Sequence, residues 1–340
     1  MEPIRFGMIG AGAISNAHTA AMEASDDAEL VCVADINLEA AQARADERGA
    51  DRAVDSYDEL IAMDDVDAIV IGIPTEFHAD AAIKAARAGK HVLCEKPMAR
   101  TLDDCRAMME AHEEAGTTLG IGFVRRFDQN WGQIRKMVQE EKAGQPCMWR
   151  RIVAGAGPGP PNYGEWYQDS RYSDGPLTES ASHDIDFLRY TFGDVASVTA
   201  YMEHLSNTGD VLDTNAMILR FESGDTALLQ FSWTLPPGAT SGFRGMDVIG
   251  PEGSIHEPRE EDGEWLIDIS KTGGEVETIP FVNERCADTW TEGQLNDFIE
   301  AIRTGREPRS SGMDGYKAQE IYLAGVESME TGRRIDLPLE

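Results

Sequence analysis

Short apolar runs alternate with amphipathic stretches over the first third of the chain. The runs are rich in β-branched residues, as strands covered on both faces are, and the stretches between them have helical periodicity. The predicted strands are 4–9, 30–35, 68–73, 91–94 and 118–123. The predicted helices are 14–24, 38–48, 57–63, 79–88 and 102–115. Strands that alternate with helices in this way indicate a parallel, doubly wound sheet.

The pattern changes character after about residue 124. Helical periodicity returns at 131–142 and 178–191, and the glycine and proline content of GAGPGPPNYG (155–164) excludes regular structure there. Strand-like runs then follow closely, at 196–204, 215–222, 226–234, 244–250 and 264–270. Turn sequences such as ESGD and KTGG separate some of them, which predicts an antiparallel sheet. Two predicted helices, 290–303 and 315–330, close the chain.

The length and the N-terminus bear on location. A chain of 340 residues is long enough for two domains. No stretch approaches the roughly 18 uninterrupted apolar residues of a membrane span. The start, MEPIRFGMIGAG, lacks the basic residues and the long apolar run of a signal peptide. We therefore expect a cytoplasmic protein with no membrane partner.

The charge balance is strongly acidic. The chain has 61 Asp and Glu against 30 Lys and Arg, a net charge of −31 at pH 7. Such a surface repels phosphate, so we expect no nucleic acid as a partner. The acids are spread along the chain, and salt screens their mutual repulsion. We interpret the composition as that of a protein from a high-salt organism.

Cysteine and histidine spacing gives no sign of a metal centre. The five cysteines form no CxxC pair, and potential ligands do not cluster with the spacing of a metal site. We therefore expect no metal and no disulfide framework, and we expect reduced, mostly buried thiols.

A glycine-rich turn follows the first predicted strand and opens the first helix. Its sequence is Gly10-Ala11-Gly12-Ala13-Ile14-Ser15. In such a turn the first glycine permits a tight bend, the second lets backbone approach a pyrophosphate, and the third position packs helix against strand. The helix N-terminus offers N–H groups to the anion. Ser15 is small, although Gly or Ala is usual there. The turn predicts a dinucleotide site.

Asp35 ends the second strand, where a carboxylate can accept hydrogen bonds from a ribose 2′-hydroxyl. It would repel a 2′-phosphate, so NAD is favoured over NADP as the cofactor. Ile36 is counted with the cofactor-binding residues. The alternative is that Asp35 caps the following helix, a role that Asn37 could fill equally well.

The stretch CEKPMA (94–99) places an acid and a base at the end of a buried-looking strand. Because Lys and Glu are usually solvated, one interpretation is an exposed strand end followed by a turn. The other is an active-site lysine, since ligands bind at the carboxyl edge of such a sheet. At this edge we expect Thr75, His78, Glu95 and Lys96 to contact the cofactor. A cis Lys96–Pro97 bond is a hypothesis.

A second set of polar residues lies in LTESASHDIDFLRY (177–190). Glu179, His183 and Asp186 recur at i, i+4 and i+7, which places them on one face of a helix. A carboxylate can fix the tautomer of an imidazole, and oxidation of a secondary alcohol needs a base for the hydroxyl proton. The alternative is an amphipathic helix with a solvated polar face. We expect His18 and the histidines outside these motifs to be structural or surface residues.

These motifs together resemble those of the Gfo/Idh/MocA oxidoreductases over nearly the whole chain. The matching segments are GAGAIS, AIVIGIPTEFHADAAIKAARAGKHVLCEKP, GFVRRFD and TESASHDID. The resemblance implies an α/β protein with an N-terminal Rossmann dinucleotide-binding domain (1–123). A C-terminal α/β domain (124–340) with a large, mostly antiparallel open sheet follows. Whether the C-terminal helix packs back on the first domain stays open.

The resemblance also implies roles for single residues. His183 is implied as the acid/base, and Lys96 as the group that orients the reacting hydroxyl and lowers its pKa. Glu179 stands where similar proteins usually have Asp, one methylene shorter, and is counted with the catalytic residues. The implied substrate site comprises Lys96, Arg125, Asn162, Glu179, His183 and Asp186.

The function implied by the resemblance is NAD-dependent oxidation of a secondary hydroxyl of a cyclic polyol or sugar, with an inositol as the first candidate. The segments GAGPGPPNYGEW and TLPPGATSGFRG depart from the inositol enzymes, which keeps an aldose open as the substrate. The further alternatives are a glycosidase that retains NAD and an NAD-binding regulator without catalysis. The resemblance implies a homodimer or homotetramer.

Overall fold

The computed structural model describes residues 2–156, 165–206, 209–235, 242–282 and 287–339. Its helices are α1 (Ala13–Glu23), α2 (Leu38–Arg48), α3 (Tyr57–Ile61), α4 (His78–Arg87), α5 (Leu102–Ala115), α6 (Gln129–Gln139), α7 (Pro176–Glu179), α8 (Ser182–Phe192), α9 (Ala287–Thr304) and α10 (Gly312–Thr331). Its strands are β1 (Ile4–Ile9), β2 (Ala28–Ala34), β3 (Arg52–Val54), β4 (Ala68–Ile71), β5 (His91–Cys94), β6 (Leu119–Ile121), β7 (Met148–Ala156), β8 (Val195–Glu203), β9 (Thr214–Phe221), β10 (Thr226–Leu235), β11 (Phe243–Gly250), β12 (Gly253–Ile255), β13 (Arg259–Glu261), β14 (Glu264–Lys271), β15 (Val276–Pro280) and β16 (Ile335–Asp336).

The elements predicted before residue 124 are all present, with ends that differ by at most two residues. Two later predictions are wrong. The predicted helix 178–191 is broken, because the N–H groups of Ser180 and Ala181 both donate to the carbonyl of Pro176 and α8 begins anew at Ser182. Regular structure also extends into the glycine-rich stretch, since β7 continues to Ala156.

The described residues form two compact units. The first unit contains the described residues up to Phe127 and those from α9 to Gln319. The second unit contains the described residues from Asp128 through β15 and those from Glu320 onward. The domain limit at 123/124 stays a prediction.

The first unit is built on a six-stranded sheet in the order β3-β2-β1-β4-β5-β6. All neighbouring strands in it are parallel. The strand order reverses between β1 and β4, so the loops that follow these two strands diverge and open a crevice at the carboxyl edge of the sheet. This topology confirms the parallel, doubly wound sheet that the sequence predicts.

The core of the first unit joins the sheet to helices from both ends of the chain. Phe6 and Met8 of β1 are fully buried and belong to one hydrophobic cluster with Met22 of α1 and with Leu295 and Phe298 of α9. Burying an aromatic or aliphatic side chain of this size contributes about 1.5–3 kcal/mol. The cluster therefore fixes α1, and with it the loop that precedes α1, on the sheet.

The second unit contains a ten-stranded sheet in the order β13-β14-β12-β11-β7-β10-β9-β8-β16, with β15 paired to β14. Only β7 and β10 pair in parallel among these described strands, which confirms a mostly antiparallel sheet.

Aromatic packing fixes α8 on this sheet. The ring of Trp149 on β7 is fully buried and stacks on Trp131 of α6, with centroids 5.7 Å apart. Phe187 of α8 meets both rings edge-on, at 5.2 and 6.2 Å. Because aromatic pairs have preferred geometries, this cluster restricts both the position and the rotation of α8.

The structure also describes the length of the helices and the state of four cysteines. Within the described residues no helix is long and apolar enough to cross a membrane. The four cysteines that the structure describes, Cys32, Cys94, Cys105 and Cys147, are free and buried.

Candidate active site

The loop after β1 requires glycine at its first position. Gly10 has φ +100°, and a Cβ there would lie 2.3 Å from the carbonyl oxygen of Gly72, in the loop after β4. A side chain would therefore clash with backbone as well as strain φ. This contact brings the loops after β1 and β4 together at the crevice of the first unit.

Gly12 is glycine for a different reason. It is the N-cap of α1 with φ −72°, which any residue adopts, and no atom of the described residues other than its chain neighbours lies within 4 Å of where a Cβ would be. The fold itself thus does not require a glycine. The first turn of α1, which Ala13 and Ile14 begin, carries no acid and no side-chain cap. A helix N-terminus of this kind suits an anion such as the pyrophosphate of NAD.

Ser15 completes the turn in the third position. It is fully buried, and its hydroxyl donates to the carbonyl of Gly12 at 2.6 Å. The residue is thus small enough to pack between α1 and the sheet, and its one polar group is satisfied.

Asp35 lies just beyond β2 and is bonded to the glycine-rich turn. Its Oδ2 accepts the N–H of Ala11 at 2.8 Å, and its Oδ1 accepts the N–H of Asn37 at 2.8 Å. Asn37, not Asp35, is the N-cap of α2, with its side chain accepting the N–H of Ala40. The alternative of Asp35 as the cap is therefore wrong. Ile36 beside it is 95 % exposed, an unusual state for an isoleucine.

The loop after β4 carries Thr75 and His78. Thr75 is buried at the start of a short 3₁₀ turn, Thr75–Phe77. His78 is also buried, with Nδ1 2.9 Å from the carbonyl oxygen of Pro97 and Nε2 2.8 Å from that of Ile73. Burial lowers the pKa of His78, and these carbonyl contacts offset that only in part. The ring is thus neutral at neutral pH and links the loops after β4 and β5. Its contact with the cofactor stays a prediction.

Glu95 and Lys96 directly follow β5 at the same edge. Glu95 is buried and Lys96 partly so. The Lys96–Pro97 bond is cis, which confirms that hypothesis. Glu95 is not a solvated strand end, because its Oε1 lies 2.7 Å from Nε2 of His18 and its Oε2 accepts the N–H of Lys96 at 3.1 Å. Burial raises the pKa of Glu95, but His18 and Lys96 lower it by more, so the net shift is downward.

Arg125 and its neighbour Arg126 lie in a 3₁₀ turn, Val124–Phe127, after β6. Arg126 is buried and bonded to Asp314, with Nη2 2.9 Å from Oδ1. Arg125 is only partly buried. Arg126 is thus a structural residue, and Arg125 is the one predicted to bind substrate.

The second unit carries the other predicted residues. Glu179 is the last residue of α7, and His183 and Asp186 lie on α8. The acids are buried, and His183 is partly exposed. Because the helix is broken between residues 179 and 182, Glu179 does not follow the i, i+4 geometry that the sequence predicts. His183 and Asp186 remain one turn apart on α8.

Two residues in contact with these motifs were not predicted from the sequence: Asp184, next to His183, and His18, three residues after the glycine-rich turn. Asp184 is 1 % exposed, and Nε of Arg151 on β7 lies 3.6 Å from its Oδ1, so this pair ties α8 to the sheet directly beside His183. His18 contacts Glu95, although the sequence gives it no special role. Its position eight residues after Gly10 is the only signal that could have found it. Asn162 lies outside the described residues.

The structure also bears on metal binding. In the part of the chain that the structure describes, no three His, Cys, Asp or Glu side chains are grouped as they would be around a metal ion. The edge of the first sheet instead presents backbone N–H groups, the carboxylates of Asp35 and Glu95, and the amine of Lys96. This set fits a dinucleotide, with Gly12 and α1 at the pyrophosphate and Asp35 at the ribose.

Comparisons with known proteins match both parts of the chain. Residues 4–123 match the model of an oxidoreductase family with an NAD-binding Rossmann fold, GFO/IDH/MocA. Residues 131–256 match the model of the GFO/IDH/MocA C-terminal domain. The two models are found in the order that the sequence motifs predict.

Curated relatives and solved structures extend this similarity over the whole chain. Myo-inositol 2-dehydrogenase of Thermotoga maritima is 30 % identical, over 98 % of each chain. Inositol 2-dehydrogenase of Rhizobium meliloti is 31 % identical, over 98 % of this chain and 99 % of the other. Among solved structures, the WlbA dehydrogenase of Bordetella pertussis in complex with NADH and UDP-GlcNAcA is similar, with a TM-score of 0.82 and 28 % identity. That alignment covers 99 % of this chain and 100 % of the other.

Proposed function

The chain belongs to the GFO/IDH/MocA family of NAD-binding oxidoreductases, and on that premise we propose that it is an NAD-dependent dehydrogenase of a cyclic polyol or sugar. The observation that carries the proposal is the bond from Asp35 to the glycine-rich turn beside an open Gly12. These features suit NAD, and the acid disfavours the 2′-phosphate of NADP. Lys96 and His183 supply the ionisable groups that oxidation of an alcohol requires.

The proposed chemistry divides between these side chains. NAD, when bound, supplies the acceptor for the hydride. His183 takes the hydroxyl proton, because a partly exposed imidazole can pass that proton on to solvent. Lys96 donates a hydrogen bond to the reacting oxygen and stabilises its developing negative charge. Glu179 and Asp186 orient His183 and bind neighbouring hydroxyls, and Arg125 and Asn162 bind the remainder of the substrate.

The substrate class follows from chemistry and from the relatives together. Buried carboxylates that accept hydrogen bonds suit a ligand with several adjacent hydroxyls. The relatives from Thermotoga maritima and Rhizobium meliloti are named for inositol, which makes an inositol the first candidate. A sugar is the second candidate, since a relative from Ensifer adhaerens, 29 % identical, is named 1,5-anhydro-D-fructose reductase.

A substrate panel tests this function. Purified protein with NAD is mixed with inositols, other cyclic polyols and aldoses in molar salt, and absorbance at 340 nm reports NADH. We expect reduction with at least one member, and a much lower rate with NADP. If no member reduces NAD, the proposed function is wrong. Stoichiometric NAD that stays bound without net reduction would instead favour a glycosidase.

We also propose that the chain forms a homodimer or homotetramer through the outer face of the large sheet. Ile218 of β9 is 49 % exposed there and pairs across the strands with Leu228, which in turn pairs with Arg150. Phe243 and Ile249 of β11 are also exposed. Exposed apolar side chains around the ion pair of Arg150 and Asp247 suit contact with a second copy. Light scattering should give a multiple of 37.2 kDa, and Ile218→Glu should lower it.

A cytoplasmic location in a high-salt organism is proposed from the charge. At −31, self-repulsion of the folded state is strong at low ionic strength, and salt screens it. The melting temperature should therefore rise between 0.1 and 2 M KCl. A melting temperature that falls over this range would contradict the proposal.

A further inference from the structure

The residues directly before and after Lys96 in sequence are each in contact with a buried histidine. The carboxylate of Glu95 lies 2.7 Å from Nε2 of His18, and the carbonyl oxygen of Pro97 lies 2.9 Å from Nδ1 of His78. We propose that His18 and His78 are positioning residues, which fix the turn Glu95–Pro97 and so place the amine of Lys96. This inference rests on the proposed function of Lys96.

The first anchor is the buried pair of His18 and Glu95. The two residues are 2 % and 7 % exposed. A Cβ at Gly122 would lie 2.9 Å from Oε2 of Glu95, so the backbone of the neighbouring strand end closes the remaining space around the carboxylate. A buried carboxylate without a donor is costly. Rotation of Glu95 away from His18 is therefore unfavourable, and the backbone of the turn is held with it.

His18 also connects this turn to the nucleotide loop. It lies on α1, the helix that begins just after Gly12. The predicted pyrophosphate site thus lies at the N-terminus of α1. His18, which contacts Glu95, lies on the same helix, one to two helical turns further along. The same helix consequently sets both the nucleotide loop and the turn that carries Lys96.

The second anchor is His78, which begins α4. Its two ring nitrogens lie near two carbonyl oxygens, those of Pro97 and Ile73. A neutral ring has a single N–H and donates to one of them at a time. In the tautomer protonated at Nδ1, the ring holds the carbonyl of Pro97, the residue directly after Lys96.

The simpler interpretation is that both residues are satisfied core histidines. Two pairs of variants separate it from a positioning role. An N–H donor at the place of Nε2 is kept by Gln, and one at the place of Nδ1 is kept by Asn. His18→Gln should therefore keep the bond to Glu95, whereas His18→Leu removes it. His78→Asn should keep the bond to Pro97, whereas His78→Gln keeps only the donor toward Ile73.

The first measurement is steady-state kinetics with the best substrate of the panel. We expect kcat to fall by about 10- to 100-fold in His18→Leu and His78→Gln, because small misplacements of a catalytic group have effects of this size. In His18→Gln it should stay within about threefold of wild type, and His78→Asn should keep about tenfold more of kcat than His78→Gln. KM for NAD should change by less than about twofold in the two His18 variants, and by the same factor in the two His78 variants, since both of these lose any contact of the imidazole with the cofactor.

The second measurement does not depend on activity. The chain has seven lysines, so reductive ¹³C-dimethylation gives a simple NMR spectrum in which Lys96→Arg identifies one resonance. This resonance should shift in His18→Leu and His78→Gln and coincide with wild type in His18→Gln and His78→Asn. The other six lysine resonances should stay in place in all four variants.

Each result decides between the two interpretations. An unchanged Lys96 resonance in His18→Leu and His78→Gln overturns the inference. The inference is also overturned if His18→Gln loses as much kcat as His18→Leu, and His78→Asn as much as His78→Gln, while the two members of each pair have equal melting temperatures. If the wild-type protein forms NADH with none of the compounds of the panel, the proposed function fails. The NMR result alone then decides the positioning role. If His18→Leu does not fold, the His78 pair decides, because its two members are both polar and differ by one methylene.

Discussion

Asp35 and Ala11 are joined by a hydrogen bond of 2.8 Å between the carboxylate Oδ2 and the backbone N–H. The acid predicted to bind the ribose thus also holds the turn predicted to bind the pyrophosphate. Asp35 therefore has two roles, one in holding the turn and one, predicted, in binding the ribose. A substitution that removes its charge but keeps an oxygen that accepts the N–H of Ala11 separates them.

Asp35→Asn should lower the preference for NAD over NADP. The amide oxygen can still accept the N–H of Ala11, but it no longer repels a 2′-phosphate. We expect the ratio of kcat/KM for the two cofactors to fall by about 10- to 100-fold, or about 1.4–2.8 kcal/mol. Glu39→Gln is the control, because Glu39 is an exposed acid in the first turn of α2. An unchanged ratio in Asp35→Asn would argue that Asp35 serves the loop alone.

Alanine at Gly12 should change the affinity for NAD, whereas alanine at Gly10 should change the stability of the fold. Gly12→Ala places a methyl group where the protein has open space, so the melting temperature should not change but the Kd for NAD should rise about tenfold or more. Gly10→Ala combines φ +100° with a contact of 2.3 Å to Gly72, and it should destabilise the fold by about 1–3 kcal/mol. Calorimetry and nucleotide titration measure the two quantities. Wild-type affinity in Gly12→Ala would mean that the loop does not hold the pyrophosphate.

The two neighbouring arginines should also differ. Arg126→Ala leaves the carboxylate of Asp314 without its buried partner and should lower the free energy of unfolding by about 3–5 kcal/mol. Arg125→Ala should cost less stability than Arg126→Ala and raise KM for the substrate by about tenfold. Urea unfolding and initial rates on the same preparations test the pair. A stability loss confined to Arg125→Ala would reverse the assignment.

Acid should destabilise the protein through three histidines of the first unit, of which His78 and His112 are buried and His91 is partly buried. Burial lowers the pKa of His78 and His91, and burial together with His91 lowers that of His112 to about 4. The unfolded chain binds protons from about pH 6.5 downward, whereas the folded chain does not until lower pH. The free energy of unfolding should therefore fall between pH 6.5 and 4, by roughly 1 kcal/mol per pH unit for each histidine.

Urea titrations at constant salt measure this slope. His112→Gln should flatten it, and His256→Gln, which changes an exposed histidine, should not. Stability that is constant from pH 6.5 to 5 would contradict the role of these three histidines.

Local pattern was enough to predict the first sheet. Runs such as AIVI have no polar residue because both faces of a parallel strand are covered, and Gly49 and Gly116 end their helices with positive φ. The second sheet was predicted in outline only. Strand β7, with sequence MWRRIVAGA, interleaves arginines and apolar residues on an open face, so its pattern resembles no simple strand.

Long-range contacts explain what the sequence left out of the site. The break between α7 and α8 depends on two N–H groups that share the carbonyl of Pro176, which periodicity does not reveal. His18 and Glu95 are 77 residues apart, and only the parallel order of β1, β4 and β5 brings them together. Lys96, by contrast, was predicted at its observed place because it directly follows a short, recognisable strand.

The proposed activity is the oxidation of an alcohol by bound NAD, in which Lys96 and His183 act. Its most direct test is absorbance at 340 nm after wild type, Lys96→Met and His183→Asn, each saturated with NAD, are mixed with the best polyol or sugar in molar salt. We predict rapid NADH formation by wild type. Both variants should be slower by about 10²- to 10⁴-fold at saturating NAD, and Kd for NAD should stay within about twofold of wild type in His183→Asn. NADH formation by either variant at the wild-type rate would contradict the account.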